Sequence, residues 1–192
     1  MSATRIQLLV FDGFSDWQTS LACHEAGNRG GLRVHPVAAA PGSVRSASGL
    51  TVIPEYAIED VAIEDSAALV LPGGPLWEMA EIGAVSALLR KVFDADVPIA
   101  AIGSGILALA HAGLLAGKRH SGNSAAWIKT HCPGYEAEAH YVAVPAVTDG
   151  GIVTAAGPAI IDFAHELLKA LDIVDEPERR SWLRSLKEGV PA

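Results

Sequence analysis

The chain has little with which to build a disulfide or metal scaffold. Cys23 and Cys132 are its only two cysteines, too few for a disulfide framework, and no CxxC or Cys/His cluster suggests structural zinc. Seven histidines occur without HxH or HExxH spacing, so no metal site is inferred, and no cofactor is expected. Lysine and arginine are also scarce, 14 against 22 acidic residues, and form no cluster. With a net charge of −8 and a pI near 5.3, nucleic acid and anionic membranes are poor partners. A small neutral or anionic ligand remains open, because local N–H groups can outweigh global charge. No internal repeat or low-complexity tract occurs. Met1-Ser-Ala-Thr-Arg5 leads straight into an apolar run without a basic n-region and cleavage site, so no secretory signal is expected. A reducing cytoplasm fits that start and the sparse cysteines.

The 21 residues from Val97 to Gly117 hold no acid, lysine or arginine, enough to pass a length test for a membrane-spanning helix. Pro98 and the glycines at 103, 105, 113 and 117 argue against one continuous helix there. Ile99–Ile102 instead suits a buried parallel strand, Gly103-Ser104-Gly105 a sharp turn, and Ile106–Ala112 a helix stopped by Gly113. That is the geometry of a nucleophile elbow, where one residue sits on a strained turn and backbone N–H groups open the helix. The residue at that turn is Gly103, which has no side chain to react.

Half of the 192 residues are apolar and the mean hydropathy is +0.29, as expected for one enzyme-like α/β domain with a proper core. The pattern predicts strands over Arg5–Phe11, Leu32–Ala40, Ala67–Leu71 and Ile99–Ile102, and a hairpin within Val44–Pro54. A second hairpin joins Tyr141–Val147 to Gly151–Thr154 through Thr148-Asp149-Gly150. Helices are expected from Ser15 or Asp16 to about Ala26, from about Ala80 to Asp94, over Ser124–His131 and over Pro158–Leu171. A final helix opens at Asp175-Glu-Pro-Glu and carries Trp182, Leu183 and Leu186 on one side. The domain is read as 1–174, with 175–192 a helical tail packed on it or on a partner subunit.

Alternation of short apolar strands with helices implies a mostly parallel sheet with helices on both faces, whose ligands sit beyond the carboxyl ends of the strands. Three loops leave those ends: Asp12–Gln18, Pro72–Trp77 and Gly103–Gly105. They would bring together Gln18 and the amides of Gly73, Gly74 and Gly103–Gly105.

Phe11-Asp-Gly-Phe-Ser-Asp-Trp-Gln18, Leu69-Val-Leu-Pro-Gly-Gly74, Ala100-Ala-Ile-Gly-Ser-Gly105, Ala112-Gly-Leu-Leu-Ala-Gly-Lys-Arg-His120 and Thr154-Ala-Ala-Gly157 together resemble the ThiJ/PfpI superfamily over about residues 4 to 172. The resemblance implies the class I glutamine amidotransferase-like fold, a flavodoxin-like α/β/α sandwich, and a homodimer. Its members include cysteine-dependent hydrolases, hydratases and glyoxalase-like enzymes, and proteins called intracellular protease or amidase. They carry a cysteine at the position of Gly103, a supporting carboxylate at that of Gln18, with Asp16 two residues earlier here, and often a histidine at that of Asn123. A thiolate activated by a helix N-terminus and a protonated acid is therefore missing at both ends.

Two functions follow. The first is a non-catalytic or regulatory protein that binds a small molecule, with an anion-accepting pocket left intact at Gly73, Gly74, Ser104 and Gly105 and enlarged by the absent side chain. The second is a hydrolase or lyase, of amidase, hydratase or glyoxalase-like type, using Ser104, Asp16 or bound water. Ser104 fits an N-cap of the elbow helix better than a nucleophile, which needs an aligned base. His120 could be that base, but its polar, turn-like surroundings predict a solvated side chain. Cys23 is expected to be buried or at a dimer contact, and Cys132 to be a surface or packing residue. Trp17 and Leu21 on the first helix, and the tail around Trp182, are the expected dimer surfaces.

Overall fold

The computed structural model describes residues 4–78 and 82–190. Nine strands are described: β1 (Arg5–Leu9), β2 (Arg33–Ala38), β3 (Val44–Arg45), β4 (Thr51–Val52), β5 (Tyr56–Ala57), β6 (Ser66–Leu71), β7 (Ile99–Ile102), β8 (Ala146–Asp149) and β9 (Ile152–Ala155). The helices are α1 (Asp16–Gly30), α2 (Gly83–Asp94), α3 (Ile106–His111), α4 (Ala125–His131), α5 (Ile160–Ala170) and α6 (Glu176–Glu188). Seven strands form one sheet in the order β5-β2-β1-β6-β7-β9-β8, parallel throughout except for the β8–β9 hairpin; β3 and β4 make a separate antiparallel hairpin.

The central strands are apolar on both sides, and their side chains divide between two cores. Leu69, Leu71, Ile99 and Ala101 point into the layer of α2, α3 and α4, where Leu89, Leu107 and Ile128 meet them. Ala68, Val70, Ala100 and Ile102 point the other way, onto Ala22 and Ala26 of α1, Phe163 and Leu167 of α5, and Trp182 of α6. This is the three-layer α/β/α sandwich of a flavodoxin-like fold. The order places β1, β6, β7 and β9 side by side, so the loops that leave their carboxyl ends converge.

Most elements fall where the apolar pattern puts them, with local differences. α1 runs to Gly30, four residues beyond the expected end, and stops at Gly31 in the left-handed conformation. The start of the helix expected near Ala80 lies outside the described residues, and α2 is described from Gly83. Tyr141 does not begin a strand; it makes a single bridge to His120, and β8 starts at Ala146. Ser124 caps α4 by accepting from Trp127 N–H at 3.0 Å, and Asp175 caps α6 by accepting from Glu178 N–H at 2.9 Å. The tail α6 packs against α5 of its own chain, and Trp182 is buried there, which removes Trp182 from the expected dimer surfaces.

Candidate functional site

Gly103 follows β7 with φ +62°, a left-handed conformation that a side chain takes only with strain. Gly105, one step into the helical turn, is fixed by proximity instead: a Cβ there would lie 2.5 Å from the carbonyl of Leu71. Gly103 lets the chain turn, and Gly105 lets the start of the helix press against the end of β6. The sharp strand-to-helix turn expected from the sequence is therefore present.

Above the turn lies Gln18, buried on the first turn of α1. Its Oε1 accepts from Gly73 N–H at 2.8 Å, and its Nε2 donates to the Gly157 carbonyl at 3.3 Å. Gly157 N–H in turn donates to Asn123 Oδ1 at 3.1 Å. The chain Gly73–Gln18–Gly157–Asn123 thus ties together the loops after β6 and β9 and the segment before α4. A Cβ placed on Gly103 would come within 2.8 Å of Gln18 Nε2 and 3.2 Å of Oε1. The space expected to be an enlarged pocket is filled by the Gln18 carboxamide.

Ser104 does not cap the elbow helix. Its hydroxyl accepts from Gly74 N–H at 2.9 Å and lies 3.3 Å from the Gly74 carbonyl, to which it can donate. Ser104 lies inside the helical turn Gly103–Gly105, which Ile102 precedes and which runs through Gly105 into α3, so it does not stand at a cap position. The amides of Gly73 and Gly74, expected to face an anion, are thus bonded to Gln18 and Ser104.

His120 is fully buried rather than solvated. Its ring packs edge-on against Tyr135 and Tyr141, at centroid distances of 5.6 and 5.9 Å. Nδ1 lies 2.7 Å from the Lys118 carbonyl, which can only accept, so Nδ1 carries the proton and Nε2 accepts from the Tyr135 hydroxyl. Burial lowers its pKa, against the favourable hydrogen bond to Lys118 and with the help of His140. Both ring nitrogens are engaged away from Ser104. Burial, aided by Glu138 and Tyr141, pushes the Tyr135 hydroxyl up to about 12.

Asp16 lies at the rim, where its Oδ1 accepts from Ser48 N–H at 3.2 Å. Burial alone would raise its carboxyl, but hydrogen bonds from Ser48 and Ser46 outweigh it and hold the group below the ordinary aspartate value. The β3–β4 hairpin, which carries those serines, is further pinned by Arg45 N–H to Asp12 Oδ1 at 2.8 Å. Cys23 packs in the core with Ala22 and Ala26 of α1, where burial pushes its thiol up to about 12, and Cys132 sits 3.4 Å from His111 Nδ1, its thiol also raised by burial. Among the described residues no group of three or more His, Cys, Asp or Glu could hold a metal ion, and no helix is long and apolar enough to cross a membrane.

Of the sequence candidates, the structure gathers Gln18, Gly73, Gly74, Gly103, Ser104, Gly105 and Asn123, leaves Asp16 at the rim and sets His120 apart. Gly157 completes the set; it stood in the sequence only as the end of Thr154-Ala-Ala-Gly157, and its place after β9 was the signal that could have assigned it.

A three-layer sandwich with an elbow after its central strand defines the class of protein. The family model described as DJ-1/PfpI family matches residues 4–170, and the chain belongs to that family. A Bacillus subtilis relative named uncharacterized protease YoaZ is 30% identical over 201 residues, covering 100% of this chain and 94% of the relative. Deglycase TK1284 of Thermococcus kodakarensis is 28% identical, over 87% of this chain and 99% of the relative. Among solved structures, the DJ-1 superfamily protein Atu0886 from Agrobacterium tumefaciens superposes with a TM-score of 0.88 at 34% identity, covering 97% of this chain and 98% of that one.

Proposed function

We propose that this chain is a non-catalytic member of its family that binds a small molecule at the elbow without turning it over. The observation that carries this reading is the pairing of Gly103 with Gln18: no nucleophile stands on the turn, and a neutral carboxamide lies over it. Ser104 is a weak substitute, since its hydroxyl is bonded to the Gly74 peptide and, among the described residues, no imidazole or carboxylate is hydrogen-bonded to it. The relatives named protease and deglycase set the reactions to test. Purified protein is incubated with a peptide amide and with a glycated thiol or amine, alongside a thermal-shift panel of small metabolites. The reading expects no turnover above buffer and at least one saturable stabilisation, which arises by mass action whether or not chemistry follows. Turnover that survives replacement of both cysteines and disappears in Ser104→Ala would contradict it and support the hydrolase reading.

We further propose a cytoplasmic homodimer joined through α1. Trp17, 48% exposed, shares a helix flank with exposed Ser20 and His24, beside an open groove of about 380 Å³ walled by Leu8, Val10, Phe14, Leu50 and Val52. A projecting ring and an apolar groove on one face suit a two-fold contact, in which each copy supplies both. Sedimentation of a concentration-independent species of 19.9 kDa, the mass of one chain, would contradict it.

A further inference from the structure

We infer that the slot between Gly73 and Gly157 is a receptor for a primary carboxamide, held closed by Gln18 as the chain's own internal ligand. The inference rests on the reading of the chain as a binding protein and names the class of ligand. The polar walls of the slot are one donor, Gly73 N–H at 2.8 Å from Oε1, and one acceptor, the Gly157 carbonyl at 3.3 Å from Nε2. A carboxamide presents one acceptor and one donor side by side and satisfies both walls. A carboxylate presents two acceptors, and its second oxygen would face the Gly157 carbonyl with no proton between them. The slot therefore selects against anions, although it lies beside a helix start that by itself would favour them.

Neither wall is free to turn. The Gly73 carbonyl accepts from Ser15 N–H at 2.8 Å, and Gly157 N–H donates to Asn123 Oδ1 at 3.1 Å, so the two peptides are anchored at their other ends. Three glycines set the width. A Cβ would lie 2.5 Å from Gln18 Oε1 at Gly73, 2.8 Å from Nε2 at Gly103 and 3.3 Å from Nε2 at Gly157. Together they leave room for a planar –CONH₂ group and little more. Gln18 reaches the slot through a two-carbon stem, and its withdrawal would leave Gly73 N–H and the Gly157 carbonyl to a ligand. A ligand that carries a carboxamide and gains further contacts at the rim can take its place.

The test removes the internal ligand. Gln18→Ala deletes everything beyond Cβ, and acetamide supplies the lost atoms. With the variant at pH 7.5, acetamide is expected to raise the unfolding midpoint saturably, with at least tenfold tighter apparent binding than acetate and at least tenfold tighter than acetamide on wild type. Acetate equal to or better than acetamide would overturn the inference, as would equal effects of acetamide on both proteins or no saturable effect on a folded variant. If Gln18→Ala does not fold, Gln18→Glu gives a second readout by ¹³C NMR. A neutral acid there reproduces the donor and acceptor, so its carboxyl should titrate well above the ordinary value near 4.3; ordinary titration would overturn the inference. Turnover by wild type would defeat the non-catalytic reading and leave these selectivities untouched, so the two failures are distinguishable.

Discussion

Gln18 and Gly103 occupy one space: the carboxamide of the first lies 2.8 Å from where the Cβ of any other residue at the second would stand. The two residues are 85 positions apart on different elements, one on α1 and one after β7. Each makes the other tolerable. A side chain at 103 would displace the carboxamide, and an empty position 18 would leave Gly73 N–H and the Gly157 carbonyl without partners.

The first prediction follows from that exclusion. Gly103→Cys introduces left-handed strain of about 1–3 kcal/mol and pushes against Gln18. Urea unfolding should show the single variant destabilised, and the loss in Gly103→Cys with Gln18→Ala should be smaller than the sum of the two single losses, by about 0.5–3 kcal/mol. Additive losses would mean that the two positions do not share space.

Gln18→Glu should depend on pH in the direction of a raised acid. Facing the Gly157 carbonyl, the folded carboxyl binds its proton more tightly than the unfolded one, near 4.3. Relative to wild type, the variant is then most stable below that unfolded value and loses stability as pH rises through it toward the folded pKa. Unfolding midpoints at pH 4 and 7.5 check the sign; a variant that gains on wild type as pH rises contradicts it.

His120 should remain neutral to a pH below the ordinary histidine value near 6.5, because burial lowers its pKa. The unfolded state then takes up a proton before the folded state does. The contribution of His120 is complete above the unfolded pKa and is lost as pH falls from there toward the folded pKa. Tyr135→Phe removes the hydroxyl that serves Nε2 and should cost about 1–3 kcal/mol at pH 7.5. NMR titration of the ring and urea unfolding of the variant measure the two effects.

Both thiols should be inert in the folded chain. Cys23 and Cys132 are buried, and burial raises both pKa values, that of Cys23 to about 12. A thiol reagent at pH 8 should label neither in native protein and both in urea. Rapid native labelling of either would place a reactive thiol where the structure has none.

The sheet was legible because its central strands are short runs of apolar residues set off by glycine and proline, as in Leu69-Val-Leu-Pro-Gly-Gly74. The elbow was legible for the same reason, and so were the caps Ser124 and Asp175, each of which acts on an amide three residues away. What the sequence did not disclose depends on distant partners. Gln18 meets Gly73 and Gly157 across 55 and 139 residues, so no local pattern could show that its side chain fills the space over Gly103. His120 stands in a polar stretch, Lys118-Arg119-His120, that reads as surface; the rings of Tyr135 and Tyr141 bury it from a later segment. Ser104 reads as a cap of its own helix because its partner, the Gly74 peptide, is 30 residues away in the chain.

The most direct test of the account is a ¹⁵N-edited NOESY spectrum of the Gln18 side-chain amide in the wild-type protein. With the carboxamide lying over the turn, its two protons should show strong cross-peaks to the Gly103 α-protons and exchange slowly with water. An amide with random-coil shifts, rapid exchange and no cross-peak to Gly103 would mean that the space over the turn is open, and the account of the site would fail.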